Sequence, residues 1–146
     1  LRLRETIMQE ALLLENQVCF PIYALSRQII QYYRPMLDAL DITYPQYLVM
    51  MVLWEHDTQT VNQLGALLKL DSGTLTPLLK RLELKGLIIR KRSKADERVV
   101  NISLTPSGRA MEEMACSIPH QMLESMGLSL EEMQQLKQLA EKILDK

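Results

Sequence analysis

At 146 residues the chain has the length of one domain, enough to bury a core without disulfide staples. Apolar residues make up 47% and charged residues 24%, which excludes a largely disordered, collagen-like or mucin-like chain. The formal net charge of −1 excludes an overall polycation, so attraction to a polyanion must come from local charge.

Residues Leu1 to Glu15 lack the basic, apolar, small-residue order of a signal peptide, and no apolar run reaches the roughly 18 residues that cross a bilayer. The expectation is a cytoplasmic protein with no membrane contact. From Asn16 to Tyr33, the positions Val18, Ile22, Leu25, Ile29 and Tyr33 recur at spacings of three and four, predicting one helical face, with Pro35 closing the helix. Thr43-Tyr44-Pro45-Gln46 reads as a capping box with proline in the first turn, opening a helix to about His56 that would bury Leu48, Met51, Val52 and Leu53.

A second capping box, Thr60-Val61-Asn62-Gln63, predicts a short helix burying Val61, Leu64 and Leu68. The next helix runs from the Asp71–Thr74 region to Lys85, buries Leu75, Leu78, Leu79 and Leu82, and stops at Gly86. A start at Ser72 sets the Pro77 ring against the carbonyl four residues back, which makes Thr74 the less strained N-cap. Leu87–Arg90 and Val99–Leu104 then form a hairpin around a cation-rich tip, Lys91 to Arg98. Thr105-Pro106 opens a helix that Pro119 kinks and Gly127 ends, and the box Ser129–Glu132 starts a last helix with Met133, Leu136, Ala140, Ile143 and Leu144 on one face.

The charge is polarised along this order. Residues 80–98 hold eight cations against three anions, a local net of +5, whereas residues 112–146 hold seven acids against three lysines, a net of −4. Two short helices joined by a tight turn and followed by a basic hairpin have the order of a winged helix-turn-helix, in a chain that is mainly α with a small β-hairpin. The second helix would enter the major groove of B-DNA. There Ser72, Thr74 and Thr76 offer hydroxyls to base edges, Gly73 permits close approach, and Lys80 and Arg81 lie further along for phosphates. Arg90, Arg92 and Lys94 add wing cations, and Arg98, oriented by Asp96, could reach the minor groove. A cation run is usually only a solvated face, but hydroxyls, basic wing and acidic far end together point to double-stranded DNA.

These residues also carry a resemblance. Leu70-Asp71-Ser72-Gly73-Thr74-Leu75-Thr76-Pro77-Leu78-Leu79-Lys80-Arg81-Leu82-Glu83, the wing Asp96-Glu97-Arg98, and Leu104-Thr105 with Gly108 are similar to the MarR family of bacterial transcriptional regulators. Asn16-Gln17-Val18-Cys19-Phe20, Tyr23, Tyr33, Thr43–Leu48 and Leu53-Trp54-Glu55 resemble its peroxide-sensing branch, the organic hydroperoxide resistance regulators, and the likeness covers roughly residues 14–119. It implies a single domain over 1–146 that forms a homodimer through terminal helices at about 7–40 and 106–146 around a winged helix-turn-helix at about 43–104. It also implies a repressor on a pseudo-palindromic operator that leaves the DNA when a cysteine reacts with organic hydroperoxide. By motif position that cysteine is Cys19, and the phenols that hold its thiolate across the dimer are Tyr23 and Tyr33.

The residues themselves favour Cys19 for this chemistry. It lies near a helix start, where unpaired N–H groups stabilise a thiolate, and phenol donors would add to that. The competing reading is a small buried hydrophobe, the usual state of a free cysteine. Pro21 departs from the family pattern: it either puts Cys19 in the first turn or bends the helix there. In two-cysteine members the partner's resolving thiol lies beyond the Ile118-Pro119 step, whereas Cys116 lies before it, so a low-molecular-weight thiol is the expected partner for oxidised Cys19, with Cys116 the alternative.

Tyr32, Tyr44, Tyr47 and Trp54 read as core or interface, and Met111, Met114, Met122 and Met126 as packing or an adaptable interface. No metal cluster or cofactor motif is visible with His56 and His120 isolated and no Cys-x-x-Cys, and the missing βαβ pattern argues against a thiol peroxidase enzyme. The remaining alternative is a repressor released by a small aromatic ligand.

Overall fold

The computed structural model describes residues 2–145. Helix α1 (Arg2–Ala11), which no periodicity announced, leads through a 3-10 turn at Leu14–Asn16 into α2 (Cys19–Asp38). Pro35 does not close α2. Its ring leaves the Gln31 carbonyl without a helical partner, but both residues are exposed and water can serve that oxygen. The helix continues because its end is anchored in the core by Leu37, with Ile42 just beyond, and it stops where the Ile42 N–H returns to the Leu37 carbonyl at 3.1 Å.

Helix α3 (Tyr44–His56) opens on the predicted capping box, with Thr43 and Gln46 exchanging hydrogen bonds. Its inner face is Gln46, Tyr47, Val49, Met50 and Leu53, so of the predicted set only Leu53 is buried; Met51 is exposed and Leu48 and Val52 are half-buried. The helix is apolar nearly all round, so periodicity could not select the inner face.

Strand β1 (Thr58–Thr60) follows, then α4 (Val61–Leu68), α5 (Ser72–Leu84), β2 (Ile88–Arg92), β3 (Val100–Leu104), α6 (Pro106–Ala115), α7 (Ile118–Met126) and α8 (Leu130–Leu144). The expected hairpin gains a third strand: the sheet order is β1-β3-β2, all antiparallel, with Gln59 and Arg90 both opposite Ile102. Three polar residues carry no alternation, which is why β1 left no mark in the sequence.

Pro119 does not kink one long helix. The chain breaks at Cys116-Ser117 and restarts with Pro119 in the first turn of α7, where a missing N–H costs nothing, and Gly127 ends α7 at φ 66° as expected.

The core lies where α3, α4, α5 and the sheet meet: Val49, Met50, Leu53, Leu64, Leu75, Leu79, Leu82, Ile88 and Ile102 are all but fully enclosed. Met111, Ala115, Ile118 and Met122 extend it under α6 and α7. At the α5 end the Leu87 N–H donates to the Leu82 carbonyl at 3.1 Å and Gly86 takes φ 73°, closing the helix in a Schellman motif and aiming the chain into β2. Gly108 presses on the Leu87 carbonyl, leaving no space for a Cβ, so the first turn of α6 is seated on the base of the hairpin.

Candidate functional site

Two sites lie at opposite ends of this frame. At the first, α4 opens on its capping box, with Thr60 and Gln63 exchanging hydrogen bonds at 2.8 and 3.1 Å. The turn out of α4 uses Lys69 in the left-handed region, and Gly65 is small because a Cβ there would lie 2.7 Å from the Leu70 carbonyl oxygen. Asp71, not Thr74, caps α5: its carboxylate accepts the Thr74 N–H at 2.7 Å, and that bond holds it below the usual carboxylate range. The helix therefore starts at Ser72. Pro77 takes the bond from the Gly73 carbonyl, tolerable in an exposed first turn where solvent reaches that oxygen.

This start leaves Ser72, Gly73 and Thr74 exposed on the first turn, with Lys80 and Arg81 exposed further along. The hairpin rises beside them and encloses a groove of about 520 Å³ lined by Ser72, Thr76 and Lys80 from α5 and Arg90, Arg92 and Arg98 from the hairpin. Thr60, the cap of α4, and Asn62 in its first turn also line it. Asn62 was missed, although the capping box had already placed it in an exposed first turn. Arg81 and Lys94 lie outside the groove, still exposed.

At the hairpin tip Asp96 accepts from Arg98 Nε at 3.1 Å, from its terminal nitrogen at 3.3 Å and from its main-chain N–H at 3.1 Å. These bonds hold the Asp96 carboxyl below its usual range, and the guanidinium stays in solvent in a fixed orientation. Arg92 donates to the Glu97 carbonyl at 2.9 Å, while Arg90 turns inward to Glu83, Nε to Oε1 at 3.3 Å.

The second site is the start of α2. Cys19 is its first residue and is exposed, and Val18 offers no side-chain cap, so no side chain shields the helix's positive end at the thiol. Pro21 falls in the same first turn, the first of the two possibilities it raised. Tyr23 stands one turn along, exposed, with the Arg27 guanidinium carbon 4.9 Å from its ring centre.

Tyr33 is fourteen residues from Cys19 on the same helix, roughly 21 Å along the axis, so one chain cannot bring the two together. Tyr33, half-buried, instead packs on other aromatics, 4.7 Å from the half-buried Tyr44 and 5.7 Å from the buried Tyr47, which in turn meets Trp54 edge-on at 6.3 Å. Burial first, then the neighbouring phenols Tyr44 and Tyr47, pushes the Tyr33 hydroxyl up to about 12, and burial raises Tyr44 and Tyr47 as well.

Cys116 is exposed at the end of α6, its thiol donating to the Glu113 carbonyl at 3.0 Å. It borders a cleft of about 290 Å³ lined by Tyr47, Met51 and Trp54. Among the described residues no cluster of three His, Cys, Asp or Glu could hold a metal, and no helix is long and apolar enough to cross a membrane.

Comparison with known proteins agrees with this geometry. The sequence profile of the SarA/Rot transcriptional regulators matches residues 31–114. The organic hydroperoxide resistance transcriptional regulator of Bacillus subtilis is 56% identical over 126 residues, spanning 86% of this chain and 84% of that protein. Among solved structures, reduced AbfR bound to DNA superposes with a TM-score of 0.78 at 39% identity, covering 94% of this chain and 96% of that one. Overoxidised AbfR bound to DNA gives 0.76 at 38% identity (94% and 98% covered), and disulfide-formed AbfR 0.65 at 37% (96% and 98%). AbfR comes from Staphylococcus epidermidis.

Proposed function

This chain belongs to the MarR family of winged-helix transcriptional regulators, in the organic hydroperoxide resistance branch, and on that premise we propose a homodimeric repressor that leaves operator DNA when Cys19 is oxidised. The observation that carries the reading is the placement of Cys19: an exposed thiol at the uncapped positive end of a helix whose other end packs, through Tyr33, on the DNA-binding half.

The second copy follows from surface chemistry. Leu3, Ile7 and Met8 of α1, Val18, Phe20 and Ile22 around the start of α2, and Leu139 and Ile143 of α8 are all strongly exposed, more apolar surface than a monomer ordinarily leaves in water. A two-fold contact makes such a surface self-complementary, and antiparallel α2 helices would bring each Cys19 to the partner's Tyr33. A phenol that keeps its proton to about 12 serves there as a hydrogen-bond donor to thiolate. Tyr23, one turn from Cys19, would act within its own chain. The two recognition helices then face successive major grooves, with half-sites about 34 Å apart.

In the reaction the Cys19 thiolate attacks one peroxide oxygen; the S–O bond forms, the O–O bond breaks, and the alkoxide takes a proton and leaves as alcohol. The sulfenic acid then condenses with a thiol, forming S–S and releasing water. A low-molecular-weight thiol suits this step better than Cys116, whose S–H is engaged with the Glu113 carbonyl of its own helix. Because overoxidised AbfR is found on DNA, the disulfide step, rather than further oxygen addition, is taken as the releasing one. The protein would work in the cytoplasm.

The test is binding to a pseudo-palindromic duplex by fluorescence anisotropy: affinity should vanish after one equivalent of cumene hydroperoxide with a small thiol present and return with dithiothreitol. Full affinity after a verified mixed disulfide at Cys19 overturns the redox reading. A second reading rests on the cleft at Tyr47, Met51 and Trp54, which could seat a small aromatic ligand. Release of a Cys19→Ser protein by a phenolic acid would favour it.

A further inference from the structure

Resting on the DNA-binding reading, we propose that Arg90 is a positioning residue, not a DNA contact, and that Glu83 and Arg90 form a strut fixing the wing's height over the recognition helix. Glu83 lies in the last turn of α5 and holds Arg90 twice: Oε1 accepts from Nε at 3.3 Å and Oε2 accepts the Arg90 main-chain N–H at 3.3 Å. The second bond is informative because β2 is an edge strand. Its outward N–H groups have no strand beside them, and the carboxylate of the recognition helix fills that vacancy at one position.

Exposure separates the roles of the wing arginines. The Arg90 side chain is 26% exposed and engaged, whereas that of Arg98 is 91% exposed and aimed outward by Asp96. The covalent path from α5 into the wing is Lys85, Gly86 and Leu87, and its base is held by the Leu87 N–H bond to the Leu82 carbonyl and by Gly108, so any tilt of the hairpin pivots above that anchored base. From Ile88 to the tip is about six extended residues, or ~20 Å, and a 10° tilt about that base would move Arg98 by ~3.5 Å. That shift is the difference between a guanidinium in the minor groove and one outside it. The strut stands between that base and the tip, where it opposes this tilt.

Charge alone makes the opposite prediction, and the proposal can be decided on that sign. Glu83→Gln removes a negative charge beside bound phosphate, so a purely electrostatic account expects equal or tighter DNA binding. The strut instead expects Glu83→Gln to bind the operator about fivefold more weakly, the scale of a partly exposed ion pair. Its salt slope should be unchanged, with hydroxyl-radical protection lost at the outer minor groove. Arg90→Gln should match it, whereas Arg92→Gln should lower the salt slope by about 0.9 for each phosphate no longer neutralised. Both side chains lie at the surface, so neither change opens a core cavity.

A measurement on the free protein keeps the two readings apart. In Glu83→Ala the Arg90 amide should exchange with solvent about tenfold faster than in the parent, having lost its acceptor. Unaltered exchange, tighter operator binding by Glu83→Gln, or a drop in slope for Arg90→Gln equal to that of Arg92→Gln would each overturn the strut. If the parent protein binds no duplex, the DNA reading fails and the amide exchange still decides whether the Glu83–Arg90 pair holds the wing.

Discussion

The ring of Tyr33 lies 4.7 Å from that of Tyr44, so the long helix that begins at Cys19 is tied at its far end to the helix that opens the DNA-binding half. Tyr47 and Trp54 continue the contact, and the Trp54 indole N–H donates to the Gly108 carbonyl at 2.9 Å, at the base of the wing.

The aromatic group makes a pH prediction. The folded state raises Tyr33 to about 12, so its contribution to stability is complete below the unfolded phenol value near 10 and is lost as pH climbs from there towards 12. Tyr44 and Tyr47 shift in the same direction. Phenolate absorbance should therefore show a late step that coincides with loss of near-ultraviolet circular dichroism, and Tyr33→Phe should remove part of it.

The two cysteines should behave differently. Cys19→Ser should bind operator like the parent and ignore peroxide. Cys116→Ser should still release DNA, with intact mass under non-reducing conditions showing one small-thiol adduct per chain. An intersubunit disulfide in the parent that disappears in Cys116→Ser would instead make Cys116 the resolving thiol.

Two glycines separate space from backbone. Gly108→Ala drives a methyl into the Leu87 carbonyl and the Leu104 side chain, an overpacking cost of about 1–3 kcal/mol. Gly86→Ala meets no atom within 4 Å but keeps φ at 73°, a strain nearer ~1 kcal/mol. Urea titrations should rank them in that order, and Gly108→Ala should loosen the wing as well.

At the wing tip, Arg98→Ala should lower both operator affinity and the salt slope, and relax preference at the flanking A·T steps. Arg98→Lys should recover most of the slope but not the preference. An ammonium cannot span both Asp96 oxygens as the guanidinium does, so its direction is not fixed.

Much of this was readable from the residues because local rules and packing agree. The boxes at Thr43, Thr60 and Ser129 open helices where expected, the leucines of α5 face inward, and Gly86 stops that helix. Misreadings arose where one force overrode another. Core anchorage at Leu37 carried α2 past Pro35, Asp71 outcompeted Thr74 as a cap despite Pro77, and α3 had no polar face to orient it. The division of labour among Arg90, Arg92 and Arg98 was invisible, since it depends on Glu83, seven residues before Arg90, meeting a strand edge.

The roughly 21 Å between Cys19 and Tyr33 along α2 has a consequence for assembly. On the proposed reading, each peroxide-reactive centre would be shared, one half contributed by either protomer. Dilution below the dimer's dissociation constant would then silence detection and operator occupancy together, and a mixed dimer with one Cys19→Ser chain would keep a single working centre: a gene-dosage experiment already written into the helix.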